Sequence, residues 1–278
     1  HPVFNFDSKH NISYREHWND SGHFMGSQRV KSLYLISVTL FLAILSLGAA
    51  NSPTPTELLD RVDDLYRGKS SQGKMRMNIK SKHWERSLTL EFWSEGTNKS
   101  LMRIESPKKE KGTTTLMVNK DVWNFLPKVK RVIKVPRTMM GASWMGSHFT
   151  NDDLVRQSRM ADDYDANITF RGKRNGASIF EITCMAKKDA AVVWGKVVVE
   201  MGQTDRIPRS VRYFDEELKL TRTMLFSDIR KIGTKELPLK IRVTEVDRPG
   251  EHTEMIYDEL KLDVSLPPDL FSLRRLQR

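Results

Sequence analysis

A single cysteine, Cys184, in 278 residues rules out an internal disulfide. Set in the apolar, strand-like run IFEITCMAK, it reads as a small buried hydrophobe rather than a nucleophile. Histidine is also scarce. Beyond residue 50 only His83, His148 and His252 occur, in separate segments, and no two are spaced as metal ligands one helical turn apart. There is no glycine-rich phosphate loop. The carboxylates Asp162, Asp163 and Asp165 of ADDYDAN lack the glycine and closing glutamate of a calcium loop and read as a solvated turn. His148 has Ser143, Ser147, Asp152 and Asp153 near it in the chain. However, GASWMG is not a Gly-x-Ser-x-Gly elbow, and it follows a proline segment rather than a buried parallel strand. The expectation is therefore a protein without catalytic residues, metal or cofactor. An exported hydrolase built on His148 is the rival that retains some chemistry.

Acid is in deficit, with 46 Lys and Arg against 35 Asp and Glu; residues 51–278 alone carry 42 against 32. Such a balance suits nucleic acid, an anionic membrane surface or an acidic partner. Long apolar runs are equally few. One stands out, Leu33–Leu47, preceded by Arg29 and Lys31 and followed by Gly48, Ala49 and Ala50. It is shorter than the roughly 20 residues a spanning helix needs. The order of basic start, apolar run and small residues predicts a secretory signal peptide over residues 25–50, cleaved near Ala50. Residues 1–24 then read as an upstream extension outside the fold, and 51–278 as a single domain. Export to the periplasm excludes nucleic acid and leaves lipid headgroups or a protein as partners.

Helical periodicity is confined mostly to TPTELLDRVDDLYRG, residues 54–68, with Thr56 as a candidate N-cap, and to a short helix after Thr150. Elsewhere the period is two. Met75, Met77 and Ile79 alternate with Lys74, Arg76 and Asn78; Leu88, Leu90 and Phe92 alternate with Ser87, Thr89 and Glu91; Met102 and Ile104 continue the pattern. About a dozen such segments follow one another without intervening helices, and Asn175-Gly176 marks a hairpin turn. The reading is mainly β: one curved antiparallel sheet with too little helix to cover its dry face. Methionine on that face suits a cavity of variable shape.

The loop MMGASWMGSHF, residues 139–149, resists both strand and helix because of Gly141 and Gly146, yet it is greasy. Met139, Met140, Trp144, Met145 and Phe149 are expected at a cavity mouth, partly exposed when the cavity is empty. The basic runs PKKEKG and PKVKRVIKVPR read as wet strand faces and hairpin tips. Their Lys108, Lys109, Lys111, Lys128, Lys130 and Arg131 are candidates for peripheral contact with an anionic membrane.

The phrases ESPKKEKGTTTLMV, VWNFLPKVKRV and SWMGSHFTNDDL, within residues 102–156, resemble the outer-membrane lipoprotein-sorting family of LolA/LolB-like periplasmic carriers. The branch they resemble is associated with exporters of the resistance-nodulation-division type. The resemblance implies an incomplete, half-open β-barrel of about eleven strands with a few covering helices and a cavity for acyl chains. On that basis Met75, Met77, Ile79, Leu88, Leu90, Phe92, Met102 and Ile104 are expected to line the cavity. The expected partners are lipid or lipoprotein acyl chains and an inner-membrane transporter. The expected role is a non-catalytic carrier moving acyl chains toward the outer membrane. The alternative is an accessory or sensor module of such an exporter without cargo transfer.

Overall fold

The computed structural model describes residues 52–277, apart from 64, 67, 156–159 and 191. The upstream extension and signal peptide expected within residues 1–50 lie outside the described residues. No described helix is long and apolar enough to cross a membrane.

Helix α1, Pro55–Asp63, opens the fold. Its cap is Thr54 rather than Thr56. The Thr54 hydroxyl accepts from the Glu57 amide at 3.2 Å, and Glu57 Oε2 accepts from the Thr54 amide at 2.8 Å. This reciprocal Thr-x-x-Glu box, with proline at the first helical position, is the stronger start signal because it satisfies two orphan amides at once. Leu58 and Leu59 turn into the core at 2% and 0% exposure.

Thirteen strands form one sheet in the order β6-β5-β4-β3-β2-β1-β13-β12-β11-β10-β9-β8-β7. They are β1 Ser70–Lys80, β2 Glu85–Glu95, β3 Lys99–Ser106, β4 Thr114–Val118, β5 Asp121–Leu126, β6 Arg131–Lys134, β7 Tyr164–Arg174, β8 Ala177–Ala186, β9 Lys196–Gly202, β10 Pro208–Phe214, β11 Leu220–Ile232, β12 Lys235–Glu245 and β13 His252–Leu262. The count slightly exceeds the eleven or so of the family resemblance, and it includes short edge pieces such as four-residue β6. All pairings are antiparallel, as expected of short turns in series. Asn175 and Gly176, at φ 50° and 81°, make the predicted left-handed hairpin turn between β7 and β8.

The topology is two meanders joined at their inner ends. The first runs outward from β1 to β6; the second begins at the opposite edge with β7 and runs inward until β13 pairs with β1. Neighbouring strands stand about 4.8 Å apart, so seven spacings would separate β4 from β10 by roughly 34 Å if the sheet were flat. Met117 of β4 and Val211 of β10 nevertheless line one cavity. The sheet must therefore curl, which makes the half-open barrel expected from the sequence. A bulge between Ile168 and Phe170 twists edge strand β7, and the other edge carries Arg131 and Lys134, both devices against edge pairing.

β6 and β7 are the two free edges, and the described residues of the 135–163 segment between them pack against the concave side. This strap contains a 3₁₀ turn at Arg137–Met139 and two short helices, α2 Asn151–Val155 and α3 Met160–Asp163. Thr150 caps α2 as expected: its hydroxyl accepts from the Asp153 amide at 3.2 Å, and its amide donates to Asp153 Oδ2 at 2.8 Å. On the opposite, convex face the C-terminal tail folds back, burying Leu270 and Leu276 against Leu101 and Leu116. Cys184 is fully buried in the main core, as its apolar setting suggested.

Candidate functional site

Alternation divides each strand into two faces, and the turns divide the sheet into two ends. The upper end carries the β1–β2, β3–β4, β5–β6, β8–β9, β10–β11 and β12–β13 turns. The strap packs over the upper half of the concave face, held by contacts that reach four strands. Trp144 Nε1 donates to Thr115 Oγ1 of β4 at 3.2 Å, and Arg86 of β2 donates to the Met145 carbonyl. The His148 amide donates to Thr253 Oγ1 of β13 at 3.0 Å, and its ring Nδ1 lies 2.8 Å from the same oxygen. Arg222 of β11 donates to the His148 carbonyl at 3.2 Å and grips Asp153 through two bonds of 2.6 and 2.8 Å.

The 139–149 loop thus covers the protein's own core. Trp144 and Phe149 are 1% and 6% exposed, Met140 and Met145 are half-buried against the core cluster, and Met139 stands out at 52%. The expected partial exposure does not hold for Trp144 or Phe149, because the strap is bonded down over the sheet. Under the strap, Met77, Ile79, Leu88, Leu90 and Ile104 are packed at 0–2% exposure and leave no space.

Below the strap the packing stops. A cavity of about 250 Å³ lies between the lower concave face and α1. Of the residues expected from sequence, Met75, Phe92, Met102 and Phe149 line it. The second meander supplies residues missed in the sequence reading: Val211, Tyr213, Met224, Phe226, Ile241, Met255 and Tyr257. The same period-two pattern marks them, in KLTRTMLF and HTEMIYDEL, since the two meanders meet at the β1–β13 seam. Helix α1 and the residues after it add Val62, Leu65 and Tyr66, the last stacked on Tyr257 at 4.8 Å between ring centroids. Burial, helped by the neighbouring Tyr257, raises the Tyr66 hydroxyl well above its ordinary value, so it stays neutral and donates to the Pro238 carbonyl. At the lower rim the wall turns polar with Ser71, Ser94, Lys99 and Ser100.

The residues of the hydrolytic alternative face different partners. The Ser143 hydroxyl donates to the Ser147 carbonyl, the His148 ring faces Thr253, and Asp153 is held by Arg222. Burial lowers the proton affinity of His148, with Arg248 adding to the effect and Glu251, 3.9 Å away, opposing it. The geometry on the concave face is that of an apolar receptacle with a polar rim.

A half-open antiparallel barrel with a cavity under a helix defines a fold class already seen in solved structures, the LolA superfamily fold. A DUF1329 family protein from Desulfovibrio piger superposes with a TM-score of 0.74 at 20% identity, over 81% of this chain and 100% of that one. A LolA superfamily protein from Nitrosomonas europaea gives 0.68 at 20%, over 80% and 99%. A putative outer membrane lipoprotein-sorting protein domain from Vibrio parahaemolyticus gives 0.69 at 21%, over 81% and 98%. No curated protein matches. The model of a family described only as "uncharacterized protein" matches residues 96–278, and the chain belongs to that family.

Proposed function

We propose that the protein is a non-catalytic carrier that binds acyl chains of a lipid or lipoprotein in the cavity beneath α1. The observation that carries this reading is the methionine-rich wall: Met75, Met102, Met117, Met224 and Met255 converge on one space from both halves of the sheet. Unbranched thioether side chains adapt to a flexible chain at small cost. Each buried methylene contributes about 0.8 kcal/mol, so a lined cavity holds cargo without any chemistry. At about 250 Å³ the space lies just below the roughly 300–1,000 Å³ of small-molecule sites, a size suited to part of an acyl chain.

The names of the similar structures, LolA superfamily and outer membrane lipoprotein-sorting, support the same direction. On this reading residues 25–50 direct export and are removed, 51–278 form the carrier domain in the periplasm, and an inner-membrane transporter of the resistance-nodulation-division type hands over the cargo.

The test is mass spectrometry of organic extracts from protein purified out of its native periplasm, together with uptake of a fluorescent fatty acid by the delipidated protein. Stoichiometric lipid, and uptake weakened at least tenfold by Met102→Glu, is the expected result. Met102 is only partly buried, so circular dichroism should show that variant folded. A protein with neither lipid nor uptake would leave the accessory-module reading in place of the carrier.

A further inference from the structure

The cavity leaves unexplained how the protein meets a membrane, and a different part of the molecule speaks to that. In the β1–β6 meander the turns alternate strictly between two ends. The upper end gathers the β1–β2 turn with Lys82, His83 and Trp84, the β3–β4 turn with Lys108, Lys109 and Lys111, and the β5–β6 turn with Lys128, Val129, Lys130 and, at its close, Arg131. The last two turns are in contact range, since a Cβ on Gly112 would meet Pro127 Cγ at 3.7 Å. All of these cations are exposed. The acids among them are already engaged: Glu85 by Lys80, Glu105 by Lys111, and half-buried Glu110 by Arg86.

Two large apolar side chains stand out among the charges, Trp84 at 45% and Val129 at 58% exposure. The lower end of the same meander is different: its turns are Gly96-Thr97-Asn98 and Asn119-Lys120, with a single cation and no exposed large apolar side chain. The upper end of the second meander is mixed, with Asp215, Glu216 and Glu217 in the β10–β11 turn and Lys187, Lys188 and Asp189 in the β8–β9 turn. The upper end thus concentrates its exposed cations in the β1–β6 corner, whereas exposed Lys173, Lys231 and Lys235 stand at the opposite, lower end.

We propose that this corner, the three upper turns of β1–β6, is a docking surface for an anionic phospholipid bilayer. Cations spread over separate turn tips, with no cleft among them, complement a flat field of headgroups rather than one shaped anion. An indole and a valine at the tips suit shallow insertion at the headgroup level, where amphipathic aromatics concentrate. The acidic turn beyond tilts the sheet so that β10–β11 stands off the surface.

Flotation with vesicles of phosphatidylcholine, with and without phosphatidylglycerol, tests the proposal on the purified protein. The expected result is binding only where phosphatidylglycerol is present, falling about tenfold or more as ionic strength rises from about 0.05 to 0.5 M. Reversing Lys108, Lys109, Lys128 and Lys130 to Glu should lower binding roughly a hundredfold or more. The same reversal at exposed Lys120, Lys173, Lys231 and Lys235, all at the lower end, changes net charge equally and should leave most of it. Trp84→Ser with Val129→Ser should weaken binding severalfold at constant charge. Thermal melts of each variant exclude misfolding. Equal loss in both reversal sets, or equal binding to neutral vesicles, overturns the proposal. So does capture by an acidic polypeptide with vesicles ignored, which would make the partner a protein.

Discussion

Arg222 and Asp153 form a bidentate pair across the strap, Nη1 at 2.6 Å from Oδ2 and Nη2 at 2.8 Å from Oδ1, with side chains only 1% and 7% exposed. The guanidinium also lies 4.3 Å from the Tyr213 ring centroid and 4.8 Å from that of Trp194. One side chain thereby joins β11, α2 and the cavity wall. Removing the cation leaves a buried carboxylate without its counter-charge, which typically costs about 3–5 kcal/mol, whereas removing both charges is far cheaper. Arg222→Met should therefore lower unfolding free energy in urea by about that amount, and Arg222→Met with Asp153→Leu should recover a good part of it. Additive losses in the double variant would show that the pair is not the strap's fastening.

His148 should make stability depend on pH. Burial lowers its proton affinity in the folded protein; Arg248, His252 and Arg222 push the same way, and Glu251 opposes them. A base whose folded pKa is depressed binds fewer protons folded than unfolded, so stability rises with pH in that interval. The contribution is fully present above about 6.5, the unfolded value, and is lost as pH falls from there toward the lower folded pKa. His148→Asn keeps a polar group facing Thr253 and removes the titration. Between about pH 7.5 and 5.5, the wild type should lose more of its melting temperature than the variant does. His252, also depressed by burial, stays in both proteins and cancels in the comparison. Parallel curves would mean that His148 titrates as it does in the unfolded chain.

Gly73 lies on the dry face of β1, opposite Phe92, just before a bulge between Lys74 and Met75. A Cβ there would fall 1.9 Å from the Glu259 carbonyl oxygen and 2.9 Å from the Phe92 ring. Backbone cannot yield as a side-chain end can. Gly73→Ala should cost at least about 1–3 kcal/mol, the usual scale of overpacking, and should lower the yield of folded protein. A variant of wild-type stability would mean that the β1–β13 seam is looser than this geometry.

Period-two alternation made most of the strands legible, and the shortage of helix made the curled sheet legible as well. The dry positions of β1–β3 were readable, but which of them border empty space was not. Met75 and Met77 share one pattern; only the strap's course separates the cavity wall from the packed core. That course depends on His148–Thr253 and Arg222–Asp153, contacts 105 and 69 residues apart in sequence, and polar pairs at such range leave no local periodicity. The Thr54 cap was written in the chain as Thr-Pro-Thr-Glu, where two threonines compete and the glutamate three residues on selects the first.

The strap also decides which tryptophan can report on cargo. Trp144 would be a reporter if it stood at an open mouth, but it is 1% exposed and hydrogen-bonded to Thr115. Its surroundings are complete before any ligand arrives, so its emission should already be blue. Trp93 does not serve either: it pairs with Leu101 and packs with Leu101, Leu116 and Leu270 on the convex face. Half-buried Phe226 of β11 does line the cavity, and Phe226→Trp places a reporter there. An acyl chain filling the cavity would displace water from that indole and shift its emission to the blue. Titration with a fatty acid should give Phe226→Trp a shift that wild type lacks and that persists when Trp144→Phe is added, while both variants take up a fluorescent fatty acid within a few-fold of wild type. A shift already present in wild type and lost in Trp144→Phe would mean that the strap lifts to admit cargo to the upper half of the sheet, beside Leu88 and Leu90 rather than Met75 and Met102.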